Sequence, residues 1–240
     1  MSAPHFFVDL LKYSHLETGD EVELSREDSA HALRSLRMRT GEPISIANDV
    51  GAVAEGHLLR EQDGLAIVGV DSVIDVPEAK PQVQIAMAPP KGDRLWWAVQ
   101  KLGELGVDSL CLSQTERTIR LTRDRLVRAE RIAREAAMQS RRPTIMTVSD
   151  CAFEELVGTG GGLRILLWEQ ADVLLRHVLS GTPEWVTLFV GPEGSFTDDE
   201  AERATQAGFV PASLGPGILR TETAAVVGAA LVLHRYGRLG

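Results

Sequence analysis

Leu214-Gly215-Pro216-Gly217-Ile218-Leu219-Arg220-Thr221-Glu222-Thr223-Ala224, near the end of the chain, leaves an apolar β-like run at 209–214 and enters a helix-like segment. Upstream, Gly191-Pro192-Glu193-Gly194-Ser195-Phe196 does the same after the run 186–190. Glycine permits φ > 0 and a close backbone approach to a ligand, and proline fixes a turn. Two such loops at the carboxyl ends of adjacent strands can wall a small-molecule cleft.

Around these loops strand and helix alternate. Runs at 83–88, 109–113, 163–168, 186–190 and 209–214 lead to helical stretches at 93–105, 124–140, 171–179, 198–207 and 221–236. That alternation predicts an α/β domain over 83–240, with a mostly parallel sheet covered by helices on both faces. Before it, short strands at 5–10, 21–24, 43–47, 52–59 and 65–73 surround one helix, which starts at the capping box Ser25-Arg26-Glu27-Asp28 and runs to about Met38. This is a small β-rich module over 1–75. A linker at 76–82, with Pro77 and Pro81, separates the two.

The 240 residues are 44% hydrophobic and 25% charged, as in ordinary globular proteins. The first residues lack the pattern of an export signal, and the longest apolar run, 224–233, is about half of a bilayer span. A soluble, cytoplasmic protein with no membrane partner is expected. Cys111 and Cys151 are far apart in sequence and read as buried free thiols.

A net charge of −9 argues against indiscriminate coating of nucleic acid, but residues 117–142 hold nine arginines against Asp124, Glu130 and Glu135. The planar guanidinium suits bidentate phosphate contacts and base stacking. Such a patch on an acidic body is either a docking site for one particular polyanion or a solvated helix face paired with carboxylates.

Other chemistries lose ground. Neither the dinucleotide G-x-G-x-x-G nor the phosphate loop G-x-x-x-x-G-K-[ST] is present, and Gly194-Ser195 is not part of a G-x-S-x-G elbow. The six histidines have no ligand spacing and no C-x-x-C occurs, so no metal is expected. A glycine-lined cleft with Glu193, Arg220 and Glu222 remains. It suits a compact nucleoside-like cofactor better than one bearing a pyrophosphate.

The motifs resemble those of the bacterial methyltransferases that modify N3 of a uridine in 16S ribosomal RNA, members of the SPOUT superfamily. Gly191-Pro192-Glu193-Gly194 and Leu214-Gly215-Pro216 with Ile218-Leu219-Arg220-Thr221-Glu222-Thr223-Ala224 look like the family's paired signature. Lys91-Gly92-Asp93, residues 100–107, Glu116-Arg117, residues 134–142 and the basic stretch 31–41 extend the likeness over nearly the whole chain. Ser195 departs from the family's usual second glycine, Gly217 from a bulkier residue, Ala129 from a frequent tryptophan, and Pro143 is displaced.

The resemblance implies a PUA-like RNA-binding β-barrel followed by a methyltransferase domain whose C-terminal chain forms a trefoil knot. It implies S-adenosylmethionine as methyl donor, a homodimer, and 16S rRNA as partner; the split pair of basic patches favours the assembled small subunit over naked RNA as the target. Cofactor contacts then fall on Leu167, Trp168, Val190, Gly191, Glu193, Gly194, Leu214, Gly215, Ile218, Leu219, Thr223 and Ala224. Arg220 is expected to stabilise charge on the uracil, and Glu222 to take the proton or orient Arg220. RNA contacts are expected from Arg34, Arg37 and Arg39, and from Arg117, Arg120, Arg123, Arg125 and Arg128. A related enzyme acting on another RNA or base atom, and a non-catalytic ribosome assembly factor, are the alternatives.

Overall fold

The structure, a computed structural model, describes residues 3–116, 118 and 121–240. Two compact units form: Met1–Glu78 with Ala137–Ile145, and Ala79–Ala136 with Met146–Gly240.

The first unit holds a mixed sheet of β1 (His5–Phe7), β2 (Glu21–Glu23), β3 (Pro43–Ala47), β4 (Ala52–Gln62) and β5 (Leu65–Asp75), in the order β1-β3-β4-β5-β2. Only β1 and β3 run parallel. Asp63 and Gly64 join β4 to β5 with φ of 53° and 78°, the positive pair that a two-residue hairpin turn requires. Register shifts at Glu55/Gly56 and Leu58/Arg60 bend the two long strands. Phe6, Val22, Ile44, Ile46, Leu58 and Val68 form the centre of this unit's core.

Helix α1 (Arg26–Ala30) starts at Ser25, whose Oγ accepts from the Asp28 N–H at 3.1 Å. It continues as a π-helical turn, His31–Ser35, closed by the Leu36 N–H donating to the His31 carbonyl at 2.9 Å. The helix stops there, short of Met38, and Arg37 takes φ 56°.

The segment 137–145, which the sequence pattern groups with the second domain, belongs to this first unit. Ala137 packs with Phe7 and Ala47. The Ile145 N–H donates to the Asp49 carboxylate at 2.5 Å, and Arg141 pairs with Glu55 at 3.0 Å. Buried His5 donates from Nε2 to the Arg142 carbonyl and accepts the Ser45 hydroxyl at Nδ1, both at 3.0 Å.

The second unit holds β6 (Gln82–Met87), β7 (Ser109–Gln114), β8 (Thr147–Ala152), β9 (Leu163–Leu167), β10 (Trp185–Val190) and β11 (Val210–Ala212). Every pairing in the order β11-β9-β10-β6-β7-β8 is parallel. The helices are α2 (Asp93–Leu105), α3 (Arg123–Ser140), α4 (Phe153–Gly158), α5 (Leu175–Val178), α6 (Asp198–Gln206) and α7 (Thr221–Arg235). Strand β8 and helix α4 are additions to the sequence-based pattern, and α5 is shorter than the expected 171–179.

Fully buried Phe189 on β10 packs against Phe153, Phe196 and Phe209 with ring centroids 4.8–5.9 Å away. Beside them Arg164 is buried, its guanidinium 4.1 Å from the Phe209 ring. It donates to the carbonyls of Leu156, Val157 and Ala207, the C-terminal ends of α4 and α6, which are the places where a helix favours a cation. Burial pulls its pKa below the usual guanidinium value. Arg238 makes a two-pronged pair with Asp108 at 2.5 and 3.0 Å and also reaches the carbonyls of Pro81 and Gly106.

The expected free thiols are instead a disulfide, Cys111–Cys151, between β7 and β8. Parallel pairing sets Cys151 opposite Ser113 and Cys111 opposite Ser149, which brings residues 40 apart in sequence within a Cα separation of 6.3 Å. Closing a loop of that length contributes roughly 4 kcal/mol on the chain-entropy account.

Two outcomes follow from these buried polar groups. Arg164→Met leaves the Val157 and Ala207 carbonyls without their side-chain donor, while Leu156 keeps the Thr159 hydroxyl at 2.9 Å, and should lower stability by roughly 3 kcal/mol, read as a lower urea midpoint at unchanged slope. An unchanged midpoint would refute the helix-end role. Burial holds the His5 pKa below its ordinary 6.5. As pH falls, the unfolded chain therefore takes up this proton first. The histidine's contribution is full above about pH 6.5 and is lost as pH falls toward the folded value. A His5→Gln variant should show a smaller drop in melting temperature between about pH 7.5 and pH 5.5 than the parent. Equal drops would exclude His5 as the cause.

Candidate active site

The strand order sets β9 between β10 and β11, so the carboxyl ends of these three strands share one rim. A cleft opens there, lined by Leu167, Trp168 and Glu169 at the end of β9, by Val190, Gly191, Pro192, Ser195 and Phe196 at the end of β10, and by Leu214, Gly215, Gly217, Ile218, Leu219, Thr221 and Ala224 after β11. The two glycine-rich loops face one another across it. Thr221 Oγ1 donates to the Gly191 carbonyl at 2.9 Å, a buried bond that ties one loop to the other.

Local chemistry explains the shape. A Cβ at Gly191 would stand 3.0 Å from the Phe196 ring, so only glycine fits without displacing the cleft floor. Gly215 has φ 123°, outside the reach of ordinary side chains. Ser195 has φ 62° and donates its N–H to the Pro192 carbonyl at 2.9 Å, closing a turn in a left-handed conformation that glycine would adopt without strain. Gly217 meets nothing, since a Cβ there would enter open space. Two polar atoms of lining residues, Trp168 Nε1 and Ser195 Oγ, are buried without a hydrogen-bond partner.

Nine of the residues expected to touch a cofactor line this cleft, whereas Glu193, Gly194 and Thr223 do not. Glu193 instead pairs with Arg94 of α2 at 3.0 Å and anchors its loop from outside. Glu169, Pro192, Ser195, Phe196, Gly217 and Thr221 are lining residues that the sequence reading omitted. For Thr221 a signal existed: a hydroxyl at the first position of a helix, facing a loop already suspected.

Arg220 is the N-cap of α7, exposed, and its side chain makes no capping bond. Glu222 lies in the first turn of α7, where a helix favours an acid, and is only 6% exposed; its Oε2 is buried and unpartnered. No ion pair joins Arg220 to Glu222 among the described residues.

The basic residues divide between the units. Arg34, Arg37 and Arg39 are exposed in the first, and Arg123 and Arg128 are exposed in α3 of the second, with Arg125 half-buried. The Arg125 and Arg128 guanidiniums lie over the Trp96 ring at 5.5 and 4.2 Å. Such stacking holds both side chains in place while leaving their N–H edges available. Trp97 is the exposed member of its pair, at 43%. Arg117 and Arg120 lie outside the described residues. Among the described residues no cluster of His, Cys, Asp or Glu is arranged to hold a metal. Among the described residues no helix is long and apolar enough to cross a membrane.

A parallel sheet with a glycine-walled cleft on its carboxyl rim, in a chain that also exposes arginines, has the features of an enzyme that works on nucleic acid. The RNA methyltransferase domain family matches residues 77–233, and the chain belongs to that family. Its likeness to proteins named ribosomal RNA small subunit methyltransferase E extends over both units. It is 30% identical over 241 residues to that of Mycobacterium bovis (95% of this chain, 90% of the relative). It is 29% identical over 235 residues to that of Bacillus subtilis (91% of each). It superimposes on the Neisseria gonorrhoeae protein of the same name, solved bound to S-adenosylmethionine, with a TM-score of 0.89, 26% identity and 98% of each chain covered.

Ser195→Gly should relieve the left-handed strain and raise stability by roughly 0.5–1 kcal/mol, seen as a higher melting temperature. A lower one would mean that the serine side chain contributes more than its backbone costs.

Proposed function

We propose that this chain is an S-adenosylmethionine-dependent methyltransferase that modifies N3 of one uridine in 16S ribosomal RNA. The observation that carries the reading is the pair of facing loops joined by the Thr221–Gly191 bond around a cleft with orphaned polar atoms. Those residues suit the cofactor. The Trp168 N–H can only donate and the Ser195 hydroxyl can do either, so both call for polar ligand atoms, and apolar Leu167, Phe196 and Leu214 suit an adenine ring. Backbone groups of the Gly191 and Leu214–Leu219 loops would hold the nucleoside.

The bound cofactor supplies an electrophilic methyl group on a sulfonium. Uridine N3 must lose its proton before it can form the new N–C bond. Glu222, with an unpartnered buried oxygen and no ion pair to Arg220, is assigned to accept that proton. Exposed Arg220, permanently charged, is assigned to the negative charge that spreads onto the uracil oxygens. Holding the two reactants in line is the larger contribution, worth several kcal/mol.

The family likeness also motivates finer parts of the proposal. The bent five-stranded sheet is read as a PUA-like barrel, the last strands and α7 as a trefoil knot, and the working form as a cytoplasmic homodimer acting on the assembled small subunit. The arginines of both units are read as its phosphate contacts.

Nucleoside mass spectrometry of 16S rRNA, after incubation of unmodified small subunits with the enzyme and cofactor, should reveal one N3-methyluridine. A different methylated nucleoside, or none, overturns the assignment. Arg220→Ala should keep cofactor affinity by calorimetry and lose about 10²–10³-fold in transfer rate. Wild-type turnover would remove Arg220 from the mechanism. With about five phosphates contacted, log affinity for the RNA should fall with log salt at a slope of about −3.5 to −4.5, and a slope near zero rules out the arginine contacts.

A further inference from the structure

The first unit contains a cavity of about 200 Å³ that methyl transfer does not use. Phe6, His31, Leu36, Met138, Gln139 and Arg141 are among its lining residues. The volume is below the range of about 300–1,000 Å³ typical of whole cofactors and drug-sized ligands, so it suits a smaller group. One side is aromatic, with the His31 ring edge-on to Phe6 at 6.1 Å. Leu36, 45% exposed, leaves apolar surface open. Gln139 and Arg141 bring hydrogen-bonding groups to the same cavity.

The cationic charge around it is only partly balanced, Arg141 being paired with Glu55 at 3.0 Å. Residues 31–41 carry Arg34, Arg37 and Arg39 with no acid, and residues 137–145 carry Arg141 and Arg142 with no acid. Among the described residues Arg34, Arg37 and Arg39 have no ion-pair partner, in a chain of net charge −9 whose Arg60, Arg203 and Arg238 all pair with carboxylates. Two of the arginines are also held in left-handed backbone, Arg37 at φ 56° and Arg141 at φ 54°. Such backbone is strained for a residue with a side chain and persists where the surroundings over-determine it, which is common at ligand clamps. The π-helical turn that presents His31 and Arg34 is a local irregularity of a kind found frequently at functional sites.

We propose that this cavity takes an unpaired nucleotide of the RNA. Its base lies against His31, Leu36 and Met138, and its edge meets Gln139 and Arg141. The phosphates on either side meet Arg34, Arg37 and Arg39. An apolar and aromatic pocket beside unpaired arginines is the chemistry of single-strand recognition, because every base has a stacking face and every linkage a charge. A duplex would offer the arginines phosphates but could not fill the pocket. The inference rests on the rRNA reading above and adds a second RNA site remote in function from the methyl-transfer cleft.

The test uses the full chain, a 16S rRNA fragment and its 4-thiouridine-substituted form. His31→Ala should weaken binding by about tenfold at an unchanged salt slope, since it removes a stacking contact and no phosphate contact. Arg37→Ala should lower the magnitude of the slope by about one. Ultraviolet cross-linking should map to peptides covering 31–36 and 137–141, with cofactor affinity by calorimetry unchanged in both variants. Wild-type affinity in His31→Ala, or cross-links elsewhere only, overturns the cavity's role while methyl transfer stands. Absence of RNA binding and methyl transfer in the parent protein overturns the rRNA reading and the cavity with it.

Discussion

Strict parallelism in the six-stranded sheet is the constraint from which the second unit follows. Parallel neighbours cannot be joined by hairpins, so each connection crosses over and every strand ends on the same rim. Both faces are then covered, which is why β9 and β10 read as near-continuous apolar runs and why Phe189 can collect three aromatic neighbours. The covering helices α4 and α6 in turn end near buried Arg164, whose charge is tolerable only because their terminal carbonyls surround it. The core and the site are thus parts of one arrangement: the rim that gathers the strand ends also gathers the loops.

Those loops are held from several directions. Thr221 bonds one to the other, Glu193 pins the first to α2 through Arg94, and the capping pair Thr197–Glu200 fixes where α6 begins. Glu200 also accepts the Glu116 N–H at 2.9 Å, tying the end of β7 into the same network. The polar atoms left unpaired at this rim, on Trp168, Ser195 and Glu222, therefore lie in a frame already fixed by other bonds. Preorganisation of this kind lets a ligand use these polar groups without first ordering them.

Much of this was legible where local signals coincide with tertiary ones. Helix α2 lies at 93–105 as expected because Gly92 and the left-handed Gly106 bound it and Leu95, Ala98, Val99 and Leu102 share one buried stripe. The cleft was legible because glycine and proline mark loops wherever they occur. Strand β8 was not, since in Thr147–Ala152 only Thr147 and Val148 favour a strand, and it lies at a sheet edge with little burial. The segment 137–145 escaped because helical periodicity runs unbroken through Ser140 while the packing partners change. The partner of Glu193 was illegible for a related reason: nothing in the sequence shows that Arg94, nearly a hundred residues away in the chain, is brought beside it. The cysteine pairing depends wholly on which strand lies beside β7, a fact of topology that spacing does not encode.

The disulfide gives the sheet edge a second character. Cys111 is 4% exposed within the aromatic core, whereas Cys151 is only half-buried on the outermost strand. Thiol exchange needs an incoming thiolate to reach a sulfur, and the more open one is Cys151. A reducing cytoplasm favours two thiols and an oxidising solution favours the bond. A melting temperature measured with reductant therefore belongs to the dithiol form of the chain, and one measured without it to the disulfide form.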